Sequence, residues 1–366
     1  MIVYLDNNAT TPLDPQVLQV MLLDLSGPPA NPSSVHSFGA AARKLLTGAR
    51  EQIASVFGRK SSEVIFTSGA TEAMNLLLRG LPRGHVVTSE IEHSCIYNTA
   101  KTLPDVTFVK VDLSGAPTLE AIEAALRPDT KALILSSING ETGAKLDLPR
   151  IAQAAERASV PLFLDIVAHV GKEPLNIPSS VAGFVLSAHK FHGPKGVGAL
   201  ILRPSTKLTP LLTGGHQEMG RRAGTENLAG ILGLSKALTL TQENEPAITK
   251  HLLNLRTHFE SELLRALPNA FINGQAPRTS NTSNIAFPGA DGETLLFQLD
   301  LLGIAASHGS ACASGALEPS RVLTHMGLDR KTAKSSLRFS FSRMNTMEEV
   351  NLVLEKLTGL VKSYRA

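Results

Sequence analysis

Residues 183–202 read GFVLSAHKFHGPKGVGALIL: an apolar run, a polar break that holds Lys190 between His189 and His192, and a second apolar run. Apolar runs this continuous, with no polar alternation, belong to strands covered on both faces. The same type of run recurs between about residues 40 and 205 as EVIFTS, HVVTS, VTFVKV, KALILSS and VPLFLD. Helix-period segments such as LEAIEAALRPD and LPRIAQAAERAS separate them. This alternation predicts an α/β domain in which crossover helices bury a mainly parallel sheet.

From Asn227 to about Leu267 the pattern turns helical, with an interruption near Pro246. Mixed short elements follow: SNIAFPG, a helix at GETLLFQLDLLG and a last helix at TMEEVNLVLEKLTGLVKSY. We expect a large domain over residues 16–250 and a smaller α+β domain over residues 251–366. Residues 1–15 are expected to form an N-terminal segment that packs with the small domain.

The chain has 366 residues, 43% of them hydrophobic and 18% charged, as in an ordinary globular protein. Its net charge of +3 is mild, and Lys and Arg are dispersed, so nucleic acid is not expected as a primary ligand. The start, MIVYLDNNATTP, lacks the charged and apolar regions of a leader, and no run approaches the ~20 apolar residues of a membrane span. A cytoplasmic location without membrane contact is the expectation. The two cysteines, Cys95 and Cys312, supply neither a disulfide framework nor a CxxC metal pair.

Ligands of open parallel sheets bind beyond the carboxyl ends of the strands. The polar residues that end the apolar runs are Thr67 to Thr71, Glu92 and His93, Asn139 to Glu141, Asp165, and Ser187 to Lys190. TSGATEA, after a strand and opening a helix, suits either a phosphate at the helix N-terminus or ordinary capping. Lys190 is either a surface residue at a strand end or an amine in a partly dry cleft, able to form a Schiff base. Asp165 needs a cation, which a protonated pyridine nitrogen or an internal Arg or Lys would provide. His93 is either a satisfied strand-end histidine or a flat ring that stacks on another, and Cys95 reads as a small packing residue. His189 and His192 have metal-ligand spacing, but the sequence places no third ligand. In SHGSACASGALEPS, residues 307–320, Cys312 sits among side chains too small to bury it.

Together these blocks resemble the NifS/IscS group of cysteine desulfurases, fold-type I pyridoxal 5'-phosphate enzymes of the class V aminotransferase branch. The resemblance is carried by YLDNNATTP, NPSSVHSFG, FTSGATEAMN, SEIEH, LDIVAHVG, SAHKFHGPKGVGAL, GGHQEMGRRAGTEN, SNIAF, GSACASGALEPSRVL and SSLRFSFSR, in the family's order from residue 4 to about residue 343. It implies an α/β fold with a large mainly parallel-sheet domain and a smaller α+β C-terminal domain. It also implies a catalytic set of Lys190, Cys312 and His93. Lys190 would carry the cofactor and then move protons at the substrate's α-carbon. His93 would stack on the cofactor ring, and Asp165 would pair with the ring nitrogen. Ala70, Thr71, Ser187 and His189 would bind the phosphate, with Thr225 reaching across from a second subunit of a homodimer. Arg338 would clamp the substrate carboxylate, assisted by Asn31.

The implied activity removes sulfur from L-cysteine, releasing L-alanine and leaving a persulfide on Cys312. Sulfur-acceptor proteins would then take the sulfur for iron–sulfur cluster assembly or for thiolation of tRNA or cofactors. No metal site is implied beyond a transient meeting of Cys312 with an iron–sulfur cluster. A selenocysteine lyase or related lyase is an alternative, opposed by Cys312, because selenium can leave without a thiol's attack. A desulfurase-like scaffold that docks sulfur-transfer partners and turns over little is an alternative of another class.

Three positions depart from the family pattern. Gly140 stands where an asparagine is usual, Ala168 where a glutamine would reach the ring hydroxyl, and His216 where a glycine is usual. On an extended segment, His169 would face away from the gap at Ala168 and not fill it.

Overall fold

The structure is a computed structural model that describes residues 2–309 and 318–364. Among the described residues the strands are β1 (Val3–Tyr4), β2 (Val64–Thr67), β3 (His85–Ser89), β4 (Val106–Val109), β5 (Thr130–Ser136), β6 (Leu162–Asp165), β7 (Gly183–Ser187), β8 (Gly198–Leu202), β9 (Phe271–Ile272), β10 (Thr282–Ala286), β11 (Ile304–Ala305) and β12 (Ser336–Ser340). Each of the seven apolar runs read from the sequence supplies one strand of a seven-stranded sheet, in the order β2-β8-β7-β6-β5-β3-β4. The five strands from β7 to β4 run parallel. β8 is antiparallel to both of its neighbours, because the short polar break after Lys190 is too brief for a crossover.

Successive side chains of a strand point to opposite faces, and here both faces are apolar. Leu133 and Leu135 of β5 face one core, while Ala132 and Ile134 face the other. Phe184 and Leu186 of β7 join the first core, and Val185 joins the second. Helices Ser37–Val56, Leu148–Arg157 and Leu228–Glu243 cover the first face, and Ala70–Gly80 covers the other. The strand order reverses at β3, since β4 lies outside it and β5 on its other side. A crevice opens at such a reversal, beyond the carboxyl ends of the flanking strands.

A separate core joins Val3 and Leu5 to Leu252, Leu255 and Phe259 of helix Glu245–Ala266, to Leu337 and Phe339 of β12, and to Val350, Val353 and Leu357 of helix Met347–Ser363. β12, β10 and β9 form an antiparallel sheet there, and β1 pairs in parallel with β11, Val3 opposite Ile304. The start of the chain is thus built into its last third. Pro246 lies in the first turn of helix Glu245–Ala266, where its missing N–H costs nothing.

Candidate active site

A cleft of about 490 Å³ lies beyond the sheet's carboxyl ends, within the range of small-molecule sites. Lys190 enters it from a single 3-10 turn, Ala188–Lys190, directly after β7. The amides of Phe191 and Gly193 both donate to the Ala188 carbonyl, at 3.1 and 2.9 Å. Position 193 must be glycine, because a Cβ there would lie 2.7 Å from that of Ala188. The N-terminal segment lies over this turn: Thr11 N–H donates to the His189 carbonyl at 2.9 Å, and the His192 amide donates to Thr11 Oγ1 at 2.7 Å. Lys190 Nζ donates to the carbonyls of Ala9, at 2.9 Å, and Asn8. Burial, helped by the charges of Lys190, Lys172 and Lys195, pushes the His189 ring down to about 4, so it is neutral at physiological pH.

Asp165 ends β6 and is 6% exposed, with the Val167 amide donating to its Oδ1 at 2.8 Å. Burial raises its pKa, opposed by His93 and Lys190. Its neighbour Glu92 is buried as well and is pushed up to about 7 by that burial, although Ser136 and Ser89 donate to it. His93 caps helix Ser94–Ala100: its Nδ1 accepts from the Cys95 amide at 3.2 Å and lies 3.0 Å from Cys95 Sγ. A main-chain N–H pointing at Nδ1 leaves the neutral ring's proton on Nε2.

Ser68, Gly69, Ala70 and Thr71 line the cleft at the start of helix Ala70–Gly80, whose first turn has no side-chain cap. Gly198 allows the main chain to close in behind them, since a Cβ there would fall 2.7 Å from Gly69 Cα and 2.5 Å from the Leu186 carbonyl oxygen. Glu72 also lines the cleft, but it is ion-paired with Arg222 at 2.8 Å. Arg338 of β12 is 4% exposed, forms an ion pair with Asp6 at 2.7 Å and donates to the Gly140 carbonyl at 3.1 Å. Its Nε is buried and has no protein partner.

The segment after Asp165 is a turn, which corrects the extended reading: the amides of His169 and Val170 both donate to the Ile166 carbonyl. The His169 ring is held by Ser137 Oγ and the Pro174 carbonyl, and Ala168, not His169, lines the cleft. Gly140 lines it too, and a Cβ built on Gly140 would meet that of Ala168 at 3.8 Å. The two family departures are therefore one bare patch of wall.

The cleft gathers Ala70, Thr71, His93, Asp165, Ser187, His189, Lys190 and Arg338. Asn31 and Thr225 are exposed and do not line it, nor does His216. Cys312 lies outside the described residues. His189 and His192 turn their Nδ1 atoms to Thr10 Oγ1 and the Pro12 carbonyl, and no group of three metal-ligating side chains occurs among the described residues. Among the lining residues that escaped the sequence reading are Asn8, Lys172 and Arg321. Arg321 donates to the carbonyls of Glu90 and Glu92, with its guanidinium 3.9 Å from the centre of the Tyr97 ring. None of these ends an apolar run.

Pyridoxal phosphate combines an aldehyde, a basic ring nitrogen and a phosphate. The residues present fit it: an amine at Lys190, a buried carboxylate at Asp165 that a protonated ring nitrogen would stabilise, and an uncapped helix start backed by close-packed glycine.

Comparison with known proteins agrees with this chemistry. The family model described as aminotransferase class-V matches residues 3–353. "Cysteine desulfurase 2" of Trichormus variabilis is 42% identical over 376 residues, covering 100% of this chain and 94% of that protein. "Cysteine desulfurase IscS" of Dictyoglomus turgidum is 37% identical, covering 99% of this chain and 95% of that protein. A solved structure titled "NifS-like protein" superposes with a TM-score of 0.92 at 33% identity, covering 99% of this chain and 100% of that one.

Proposed function

We propose, from the premise that this chain belongs to the class V aminotransferase family, that it is a pyridoxal phosphate-dependent cysteine desulfurase. The observation that carries the reading is one cleft lined by the Lys190 amine, the buried Asp165 carboxylate and the Arg338 guanidinium.

Bound there, pyridoxal phosphate supplies an electron sink that acidifies the substrate's α-proton and weakens its C–S bond. Lys190 attaches the group and then carries the proton that leaves and returns at the substrate's α-carbon. Asp165 holds the ring nitrogen, which gives the buried carboxylate its counter-charge. His93 holds the ring, and Ala70, Thr71, Ser187 and His189 hold the phosphate. His189, neutral at physiological pH, serves as a hydrogen-bonding group there. Arg338 takes the substrate carboxylate, with its unpartnered Nε as a ready donor and Asp6 orienting the guanidinium. The Cys312 thiolate attacks the substrate sulfur; an S–S bond forms as the C–S bond breaks, the electron pair and a proton end on carbon, and L-alanine leaves.

Several further readings belong to this proposal. A second copy of the chain would cover Leu22, Leu23, Leu25, Val35 and Phe38 near its first two helices and Leu211, Leu212 and Met219 ahead of Thr225, all exposed here. In such a homodimer Thr225 would complete the partner's phosphate site, and Asn31 would assist from the same exposed region. The two cores support domains over residues 16–250 and 251–366, with residues 1–15 joined to the second. Among the described residues no helix is long and apolar enough to cross a membrane. A cytoplasmic location is part of the proposal, supported by the bacterial cysteine desulfurases this chain resembles. Its acceptors would be proteins that take persulfide sulfur, such as an iron–sulfur scaffold or sulfur carrier.

The test is to supply L-cysteine or L-selenocysteine to the cofactor-loaded protein and its Cys312→Ala variant, measuring alanine, sulfide and selenide. Alanine from L-cysteine that depends on Cys312 supports the desulfurase. Turnover of selenocysteine alone, with or without Cys312, indicates the lyase, and no alanine from either substrate indicates the scaffold.

A further inference from the structure

Two further lysines line the cleft: Lys195, which is exposed, and Lys172, 4% exposed, on the turn that follows Asp165. Lys172 Nζ donates to the Val170 carbonyl at 3.1 Å and to the main-chain carbonyl of Lys190. The residue itself is pinned from the other core: its carbonyl accepts from Thr249 Oγ1 at 3.1 Å and from Ser280 Oγ at 2.6 Å. Glu173, the adjacent carboxylate, is committed elsewhere, to the Ser280 amide at 2.6 Å and to Lys145 at 3.0 Å.

The charges facing Lys172 are thus mostly cationic or neutralised. Lys190 and His189 belong to the turn after β7, His169 to its own turn, and His192 lies further along, beside Arg343 and Asp14. Burying an ammonium without a carboxylate is costly, and an apolar side chain of similar length would cost less. Burial and the Lys190 charge bring this amine from 10.5 down to about 7.

We propose that Lys172 is a positioning residue for Lys190: it anchors the carbonyl of the turn from which Lys190 enters the cleft, and its buried charge acts on the Lys190 amine and weakens that amine's hold on a proton. Like charges disfavour each other's protonation, so the titrations of the two amines are linked. On the Lys190 side Asp165 acts in the opposite sense, and His189 is uncharged. This inference rests on the reading that Lys190 carries the cofactor.

The test is a pH titration of the visible absorption band of the full-length protein loaded with pyridoxal phosphate. Lys190→Ala is the control for attachment. Lys172→Met keeps the stem and removes the amine, and its midpoint is expected to rise by roughly one pH unit. Lys172→Arg keeps a charge that cannot be lost, and its midpoint is expected at or below that of the wild type. Thermal unfolding of both variants separates this effect from a general loss of structure. Should Lys172→Met fail to fold, the Arg variant decides alone, and a midpoint above the wild type overturns the proposal. A Lys172→Met midpoint equal to the wild type, in a protein whose band disappears in Lys190→Ala, also overturns the proposal and leaves the Lys190 reading intact. A band that survives in Lys190→Ala removes the Lys190 reading and the inference with it.

Discussion

Two stretches of the cleft wall are built in opposite ways. Around Lys190 the main chain is braced from several directions: Thr11 holds His189 and His192, Lys172 holds the Lys190 carbonyl, and Gly193 folds back onto Ala188. At Gly140 and Ala168 the wall offers no polar side chain, and an added Cβ on Gly140 would touch only that of Ala168. The braced stretch fixes where an amine sits, which covalent attachment requires. On the proposed reading, the bare stretch would leave a bound ring fewer polar contacts without removing the means of attachment.

The comparison predicts a graded response. Lys190→Ala should abolish the visible band of the cofactor-loaded protein entirely, and a surviving band would place the attachment elsewhere. Next comes Arg338→Ala, which removes a charged donor worth about 2–3 kcal/mol, so that KM for L-cysteine should rise on the order of a hundredfold. An unchanged KM would free Arg338 from the substrate and leave it as the partner of Asp6. Gly198→Ala forces a methyl against Gly69 Cα and the Leu186 carbonyl, at a cost of about 1–3 kcal/mol. It should lower Tm and cofactor occupancy together, and full occupancy would mean that the cradle tolerates the shift. Smallest is the double change Gly140→Asn with Ala168→Gln, which furnishes the bare wall. Cofactor retention measured by dialysis should tighten by about tenfold, on the order of 1–1.5 kcal/mol, and no change would show that the wall does not meet the ring.

The same contrast explains what the sequence could and could not convey. All seven strands of the large sheet were legible because a strand buried on both faces is apolar at successive positions, as Ala132 to Leu135 of β5 and Phe184 to Leu186 of β7 show. Their lateral order was not, since such runs carry no mark of their neighbours. The strand-end polar residues marked Asp165, Ser187, His189 and Lys190, and the cleft gathers all four. Lys172 was invisible because a buried lysine and a solvated one are the same letter, and its depressed pKa comes from burial and the Lys190 charge, which only the folded chain supplies. The turn after Asp165 was misread as extended because Ile166, Val167 and Val170 look like strand, and the glycine with positive φ, Gly171, comes only at the turn's end. Asn31 and Thr225 stand exposed in the single chain, away from the residues that line the cleft.

The most direct measurement combines alanine release with mass spectrometry of the peptide that carries Cys312, after the cofactor-loaded protein has met equimolar L-cysteine. The account predicts alanine in step with one added sulfur on Cys312. Absence of alanine, or alanine with the sulfur on Cys95 and none on Cys312, would contradict it.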